Sequence, residues 1–267
     1  AAAAAATTAT AVVADAGATA IVEEEPPAGP PSIELWGVGG ATLAEPSALW
    51  ARAAPSQQMW ETLAAGVHGG RRLFGDPPVF LLEGLLPLGG DDAARLAEAA
   101  VFEQQRLRSK RQTAALPLQE PVVADLRRRV AEAVGLDEAF VEPPRLVRYS
   151  RPGDTFEPHV DWVVDATDSQ LGLLGQRVAT VLVYLNSVPR HVGGETHFPR
   201  LGLSVTPSAG SALLWPNVAA SGMPLEDTQH AALPLRKAGV VKTAINIWVR
   251  DRPLPSDPET LANLYLS

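Results

Sequence analysis

The chain of 267 residues contains no cysteine. That absence excludes disulfides, iron–sulfur clusters and thiolate zinc sites, and leaves His, Asp and Glu as the available metal ligands. No run of residues reads as a transmembrane helix. Basic residues are outnumbered, 22 Lys and Arg against 30 Asp and Glu for a formal charge of −8, which argues against a nucleic-acid-binding surface. The HExxH pattern that supplies a zinc hydrolase with its general base is missing as well. What remains is a chain that is 46% hydrophobic and 19% charged, enough apolar material for a sizeable core.

Composition divides the chain. Residues 1–32 are rich in Ala and Pro, ending in EEEPPAGPPS, and read as a disordered low-complexity arm and linker. Residues 33–75 mix short apolar and helical signals and read as an N-terminal extension. The main domain is expected over 76–253, with 254–267 as a C-terminal tail. Within the domain, VFLLEGLLPL (79–88) reads as a buried strand and DDAARLAEAAVFEQQ (91–105) as a helix. A second helix is expected at about 120–134, burying Val122, Val123, Leu126, Val130 and Val134. Its Arg127, Arg128 and Arg129 read as a solvated face, with an anionic partner as the sharper alternative. After Leu136 short apolar runs alternate with Gly, Pro, Asn and Asp clusters, the texture of an all-β barrel or sandwich. The fold class is therefore mainly β with flanking helices.

The chemistry concentrates in YSRPGDTFEPHVD (149–161). His159 and Asp161 are two positions apart, so on an extended strand both side chains lie on one face and can grip one metal. Three more histidines follow: His191, His197 and His230. His230, with the strand-like HAALPL behind it, is the expected third ligand. Two His and one carboxylate on one face of a metal leave open positions, the arrangement of non-haem Fe(II) oxygenases; zinc competes on ligand type alone. His191 reads as solvated, His197 faces away from its neighbour Thr196, and His68 has no partner.

The strand VVKTAINIWVR (240–250) weighs in the same direction. Alternation puts Lys242, Ala244, Asn246, Trp248 and Arg250 on one face and Val241, Thr243, Ile245, Ile247 and Val249 on the other. A lysine buried on such a face needs an anion, and a co-substrate carboxylate would serve. Lys237 is the rival anchor, but it precedes Gly239 in a turn.

These residues carry a resemblance. Tyr149, Gly153, Phe156, His159 and Asp161, Arg177-x-Ala179-Thr180 leading to Tyr184-Leu185, Gly193-Gly194-Glu195-Thr196-x-Phe198, and the series His230, Lys242, Trp248 occur in this order. In these motifs the chain resembles the prolyl 4-hydroxylase (alpha-subunit-like) branch of the 2-oxoglutarate/Fe(II)-dependent dioxygenases. The resemblance implies a double-stranded β-helix (jelly-roll) core, with Fe(II) on the catalytic ligands His159, Asp161 and His230. It implies 2-oxoglutarate as co-substrate, its distal carboxylate on Lys242, with Tyr149 and Thr196 helping to hold it. O2 would be consumed and ascorbate would serve as reductant. Glu142, Arg177, Trp248 and Arg111 match positions of a substrate groove. The implied reaction is C4 hydroxylation of peptidyl proline with decarboxylation of 2-oxoglutarate to succinate. The implied partner is a proline-containing peptide or protein, and the implied compartment the endoplasmic reticulum and secretory pathway.

The alternatives are an oxygenase acting on another residue or a small molecule, and a catalytically inactive jelly-roll binding module. The sequence also departs from the family pattern. His230 to Lys242 is about two residues longer than usual, one extra residue separates Tyr149 from Gly153, and Phe156 stands where a tyrosine often lies.

Overall fold

A computed structural model describes residues 20–22, 69–86, 91–102, 110–164, 169–257 and 260. In chain order the strands are β1 (Ala20–Val22), β2 (Gly70–Phe74), β3 (Val79–Leu82), β4 (Val101–Phe102), β5 (Gln112–Ala115), β6 (Arg145–Tyr149), β7 (Phe156–His159), β8 (Arg177–Tyr184), β9 (Thr196–Phe198), β10 (Leu203–Val205), β11 (Ala212–Pro216), β12 (His230–Ala232) and β13 (Lys242–Arg250). The helices are α1 (Asp92–Glu98), α2 (Pro121–Val134) and α3 (Ser169–Leu174). Among the described residues the strands make two sheets. One runs β1-β10-β9-β12-β7, the other β2-β3-β11-β8-β13-β6-β5-β4. Their interstrand pairings are antiparallel. The two sheets face each other across an apolar interior, which is the jelly-roll core.

The centre of the larger sheet explains the continuous apolar run of β8. A strand covered on both faces has no reason to alternate with polar residues, and Val178 through Tyr184 are all buried. One face, with Ala179, Val181, Val183, Ile245, Ile247 and Val249, packs under α2. The other, with Leu182, Tyr184, Ala244, Leu213 and Trp215, meets the smaller sheet. The alternation expected for 240–250 is thus the alternation observed.

Helix α2 starts on Pro121 and stops at Gly135, whose left-handed backbone (φ 67°) lets its N–H reach the carbonyls of Ala131 and Glu132. It buries Val123, Leu126, Val130 and Val134, with Val122 half-buried. Its arginines are occupied within the fold. Arg127 donates to the carbonyls of Glu138 and Val141, whereas Arg128 and Arg129 pair with Asp125 and Glu132 one turn away. Only Arg128 is fully on the exposed face.

Four expectations change. The first helix ends at Glu98 rather than running to Gln105, because Val101–Phe102 pairs with the edge of β5; a β-branched and an aromatic residue there complete a sheet edge. The first strand of VFLLEGLLPL stops at Leu82. The larger sheet begins at Gly70, inside the segment assigned to the extension, where β2 pairs with β3. In the arm, Ala20–Val22 forms a strand against β10. The remainder of 1–32, and 33–68 with His68, lie outside the described residues. So does part of the 162–176 loop, whose later half contains α3. Leu254, the first residue of the expected tail, is buried, and its N–H donates to the carbonyl of Ala139. Among the described residues no helix is long and apolar enough to cross a membrane.

Candidate metal and co-substrate site

The strands bring His159 and His230 side by side. The two are register partners at the β7–β12 pairing, and their rings stand 4.3 Å apart. Each ring is oriented by its own chain: Nδ1 of His159 lies 2.8 Å from the carbonyl of Glu157, and Nδ1 of His230 lies 3.1 Å from that of Thr228. A carbonyl only accepts, so Nδ1 carries the proton in both rings, and each Nε2 keeps its lone pair. Both lone pairs face Asp161, whose oxygens lie 3.6 Å from Nε2 of His159 and 3.5 Å from Nε2 of His230. The three ligand atoms fall within 4.8 Å of one another. Two neutral imidazoles and one carboxylate, in a cluster with no thiolate, suit a divalent metal with open positions.

The electrostatics agree with that use. Burial, with His230 next to it, pushes the His159 imidazole down to about 4, so it stays neutral near pH 7. Burial alone would raise the Asp161 carboxyl. The neighbouring His230 and His159 rings, the Arg177 guanidinium and the Thr180 hydroxyl outweigh it and hold the group below the usual carboxylate range. His197 and His191 stay outside the cluster: His197 pairs with Ser204, and His191 is exposed.

A cavity between the sheets joins this cluster to Lys242. It is lined by His159, His230, Lys242, Tyr149, Thr196 and Arg111, with Asn246 beside them. Lys242 is 2% exposed, and burial lowers its ammonium to about 7, Glu195 working against the shift and Arg111 with it. Its Nζ stands 5.3 Å from the centroid of the Tyr149 ring and 5.7 Å from that of Tyr184. The cross-strand registers Lys242↔Tyr149 and Ala244↔Tyr184 place these rings on the interior face. Tyr184 donates to the Thr196 hydroxyl at 2.7 Å, which leaves the Thr196 proton available to the cavity. Lys237 is exposed in the preceding turn.

The residues expected in a substrate groove separate. Arg111 lines the cavity, its guanidinium 3.4 Å from the centroid of Phe156. Phe156 in turn lies 3.9 Å from the His159 ring. Arg177 is clamped by Glu142 through bonds of 2.8 and 3.0 Å and lies 3.7 Å over the Trp248 ring. Glu142 itself is fully buried and also accepts from Arg250. The Glu142 carboxylate, with no accessible surface, serves its two arginines, while Arg177 and Trp248 are half-buried.

Sequence reasoning missed Thr180, Asn217, Tyr184 and Arg250 as contributors. Alternation along β8 would have found Thr180 and Tyr184, which share the inner face with Leu182. Arg250 was placed on the right face without a partner. Asn217, one residue past β11, offered no pattern. The glycines 193 and 194 form the turn into β9. Both have positive φ (82° and 84°), and a Cβ on Gly193 would sit 2.0 Å from the carbonyl oxygen of Pro234.

Residues 144–250 match the profile of the 2OG-Fe(II) oxygenase superfamily. Over 137 residues, half of this chain, it is 36% identical to prolyl 4-hydroxylase subunit alpha-1 of Rattus norvegicus. It is 35% identical over 133 residues to subunit alpha-2 of Gallus gallus. In both cases the match covers 24% of the relative, so the chain spans about a quarter of the length of these proteins. Among solved structures, the viral collagen prolyl hydroxylase of Paramecium Bursaria Chlorella virus-1, in complex with 2OG, superposes with a TM-score of 0.52 at 24% identity. That match covers 64% of this chain and 94% of the viral one, and it supports the jelly-roll fold.

Proposed function

We propose that the protein, whose residues 144–250 match the profile of the 2OG-Fe(II) oxygenase superfamily, is a 2-oxoglutarate- and Fe(II)-dependent dioxygenase that hydroxylates peptidyl proline at C4. The observation that carries the proposal is the shared cavity: two imidazole lone pairs and a carboxylate converge at a point reached from the same space as a buried lysine. A binding module has no need of either.

In this reading His159, Asp161 and His230 hold the metal, and Lys242 receives the distal carboxylate of 2-oxoglutarate. With Fe(II), 2-oxoglutarate and O2 bound, the site supplies the chemistry that converts the co-substrate to succinate and CO2 and places oxygen on a substrate carbon. The chain's own residues bind and orient. Two imidazoles fixed by backbone carbonyls present Nε2 without rotation, which reduces the ordering cost of metal binding. Lys242 becomes fully protonated against a carboxylate, in a pocket where burial makes the ion pair stronger than it is in water. The Thr196 hydroxyl, with its oxygen already engaged by Tyr184, has its proton to donate, and Tyr149 closes the wall beside Lys242.

The relatives, prolyl 4-hydroxylase alpha subunits, support this substrate class. A proline-containing peptide would approach over Arg177 and Trp248, a flat cation–aromatic surface suited to a proline ring. Arg111 over Phe156 would border the way in. Ascorbate as reductant and the secretory pathway as compartment belong to the same reading by family likeness.

The test is succinate formation from 2-oxoglutarate under Fe(II) and air, with and without a poly-proline peptide, in the wild type and in His159→Ala and Lys242→Ala. Peptide-stimulated turnover lost in both variants is expected. Turnover indifferent to the peptide would overturn the peptidyl-proline substrate while keeping the oxygenase. A folded, metal-loaded protein with no turnover would overturn both.

A further inference from the structure

Two metal ligands stand on strands, the third does not, and something must hold its carboxylate in place. His159 and His230 belong to the smaller sheet. Asp161 follows β7 after one residue, and past Val164 the chain leaves toward the 165–168 segment. Its carboxylate is tied instead to the larger sheet: the Thr180 hydroxyl donates to Oδ2 of Asp161 at 2.7 Å.

Thr180 is built for that task. Its cross-strand neighbours are Trp215 on β11 and Trp248 on β13, and it is 1% exposed, so water does not compete for the hydroxyl. A hydroxyl has one proton to give. Asn217 occupies the other side of Oγ1, its Nδ2 donating at 2.9 Å. That donation leaves the Thr180 proton for Asp161, the alternative contact to Oδ1 of Asn217 being longer at 3.3 Å. Asn217 is in turn fixed by its backbone, donating to the carbonyl of Val178 and accepting from the N–H of Leu225. It is fully buried.

We propose that the Asn217–Thr180 pair is a positioning relay that engages one oxygen of Asp161 and turns the carboxylate so that it offers the metal its other oxygen alone. The consequence is an additional open coordination position. A carboxylate free to rotate would take two positions and crowd the site. This inference rests on the metal-site reading above and concerns residues that touch neither substrate nor metal.

Binding of Co(II), standing in for Fe(II), is measured by anaerobic absorption titration of the full chain, with thermal unfolding of each variant as the control for folding. Thr180→Val keeps the shape and removes the hydroxyl; Thr180→Ser keeps the hydroxyl. Loss of a partner that orients a metal ligand is expected to weaken affinity about 10- to 100-fold in Thr180→Val and to change its visible Co(II) band shape. Thr180→Ser is expected to restore both, and Asn217→Ala to weaken binding by a smaller factor. A folded Thr180→Val with wild-type affinity and spectrum overturns the relay while leaving the metal site standing. If that variant does not fold, wild-type affinity and spectrum in Asn217→Ala overturn it instead. A wild type that binds no Co(II) overturns the metal-site reading and the relay with it.

Discussion

Replacing Lys242 by Met should make the protein more stable and nearly unable to bind 2-oxoglutarate. The magnitude follows from burial. The ammonium of Lys242 is lowered from an ordinary value of 10.5 to about 7, while the unfolded chain keeps the ordinary value. Between those two pH values the unfolded state binds more protons, so this residue makes stability rise with pH from about 7 to about 10.5 and costs most below pH 7. Each tenfold loss of proton affinity on folding corresponds to roughly 1.36 kcal/mol, so the cost at pH 7 is about 4 kcal/mol. An apolar side chain of similar length removes that cost, so Lys242→Met should gain up to about 4 kcal/mol in urea unfolding at pH 7. Met retains most of the packing volume. A dicarboxylate bound beside the lysine restores the ammonium's hold on its proton, so binding should take up a proton above pH 7. At pH 8 roughly nine-tenths of a proton is expected per 2-oxoglutarate, and affinity should fall about tenfold for each rise of one in pH above 7. Calorimetry of Mn(II)-loaded protein, in buffers of different ionisation enthalpy, measures both. An affinity that stays flat from pH 7 to 9 without proton uptake, or a Lys242→Met variant no more stable than the wild type, would refute the reasoning.

Two further perturbations separate fold from site. Glu142→Ala leaves the fully buried Arg250 without its carboxylate, which should cost about 3–5 kcal/mol and lower the midpoint in thermal unfolding by about 10 °C; an unchanged midpoint would deny Glu142 its structural role. Gly193→Ala combines a positive φ with a Cβ 2.0 Å from the Pro234 carbonyl oxygen. It should therefore lose more than the ~1–2 kcal/mol that a left-handed backbone costs alone. Gly153→Ala, with φ 85° and open space around the new Cβ, should lose only that backbone part, and equal losses in urea titrations would contradict the contrast.

Local pattern made much of this molecule legible, and distance along the chain hid the rest. Period-two alternation put Lys242 and Trp248 on one face and Ile245, Ile247 and Val249 on the other, because a strand between a helix layer and a cavity has two different environments. The His159-x-Asp161 pair was readable by its ligand types and close spacing, although the strand ends at His159 and Asp161 lies in the bend beyond it. Helix α2 announced itself through the helical spacing of Val123, Leu126, Val130 and Val134. Contacts between remote segments left no such trace. The burial of Glu142 between Arg177 and Arg250 joins residues up to 108 positions apart, and a buried ion pair reads in sequence like any exposed charge. Thr180 was legible only as one position of the Arg177-x-Ala179-Thr180 motif, with no trace of the carboxylate it meets. The end of the first helix was misread because Ala-rich sequence continues into Val101–Phe102, where a sheet edge, not intrinsic propensity, decides the conformation.

The central claim is that His159, Asp161, His230 and Lys242 form one oxygenase site acting on proline. The most direct test is mass spectrometry of a proline-rich peptide after reaction with the Fe(II)-loaded protein and 2-oxoglutarate under 18O2. The account requires one 18O atom on proline C4 and one in succinate, both lost in His159→Ala. Succinate formed in proportion to O2 with no label on any proline would contradict it.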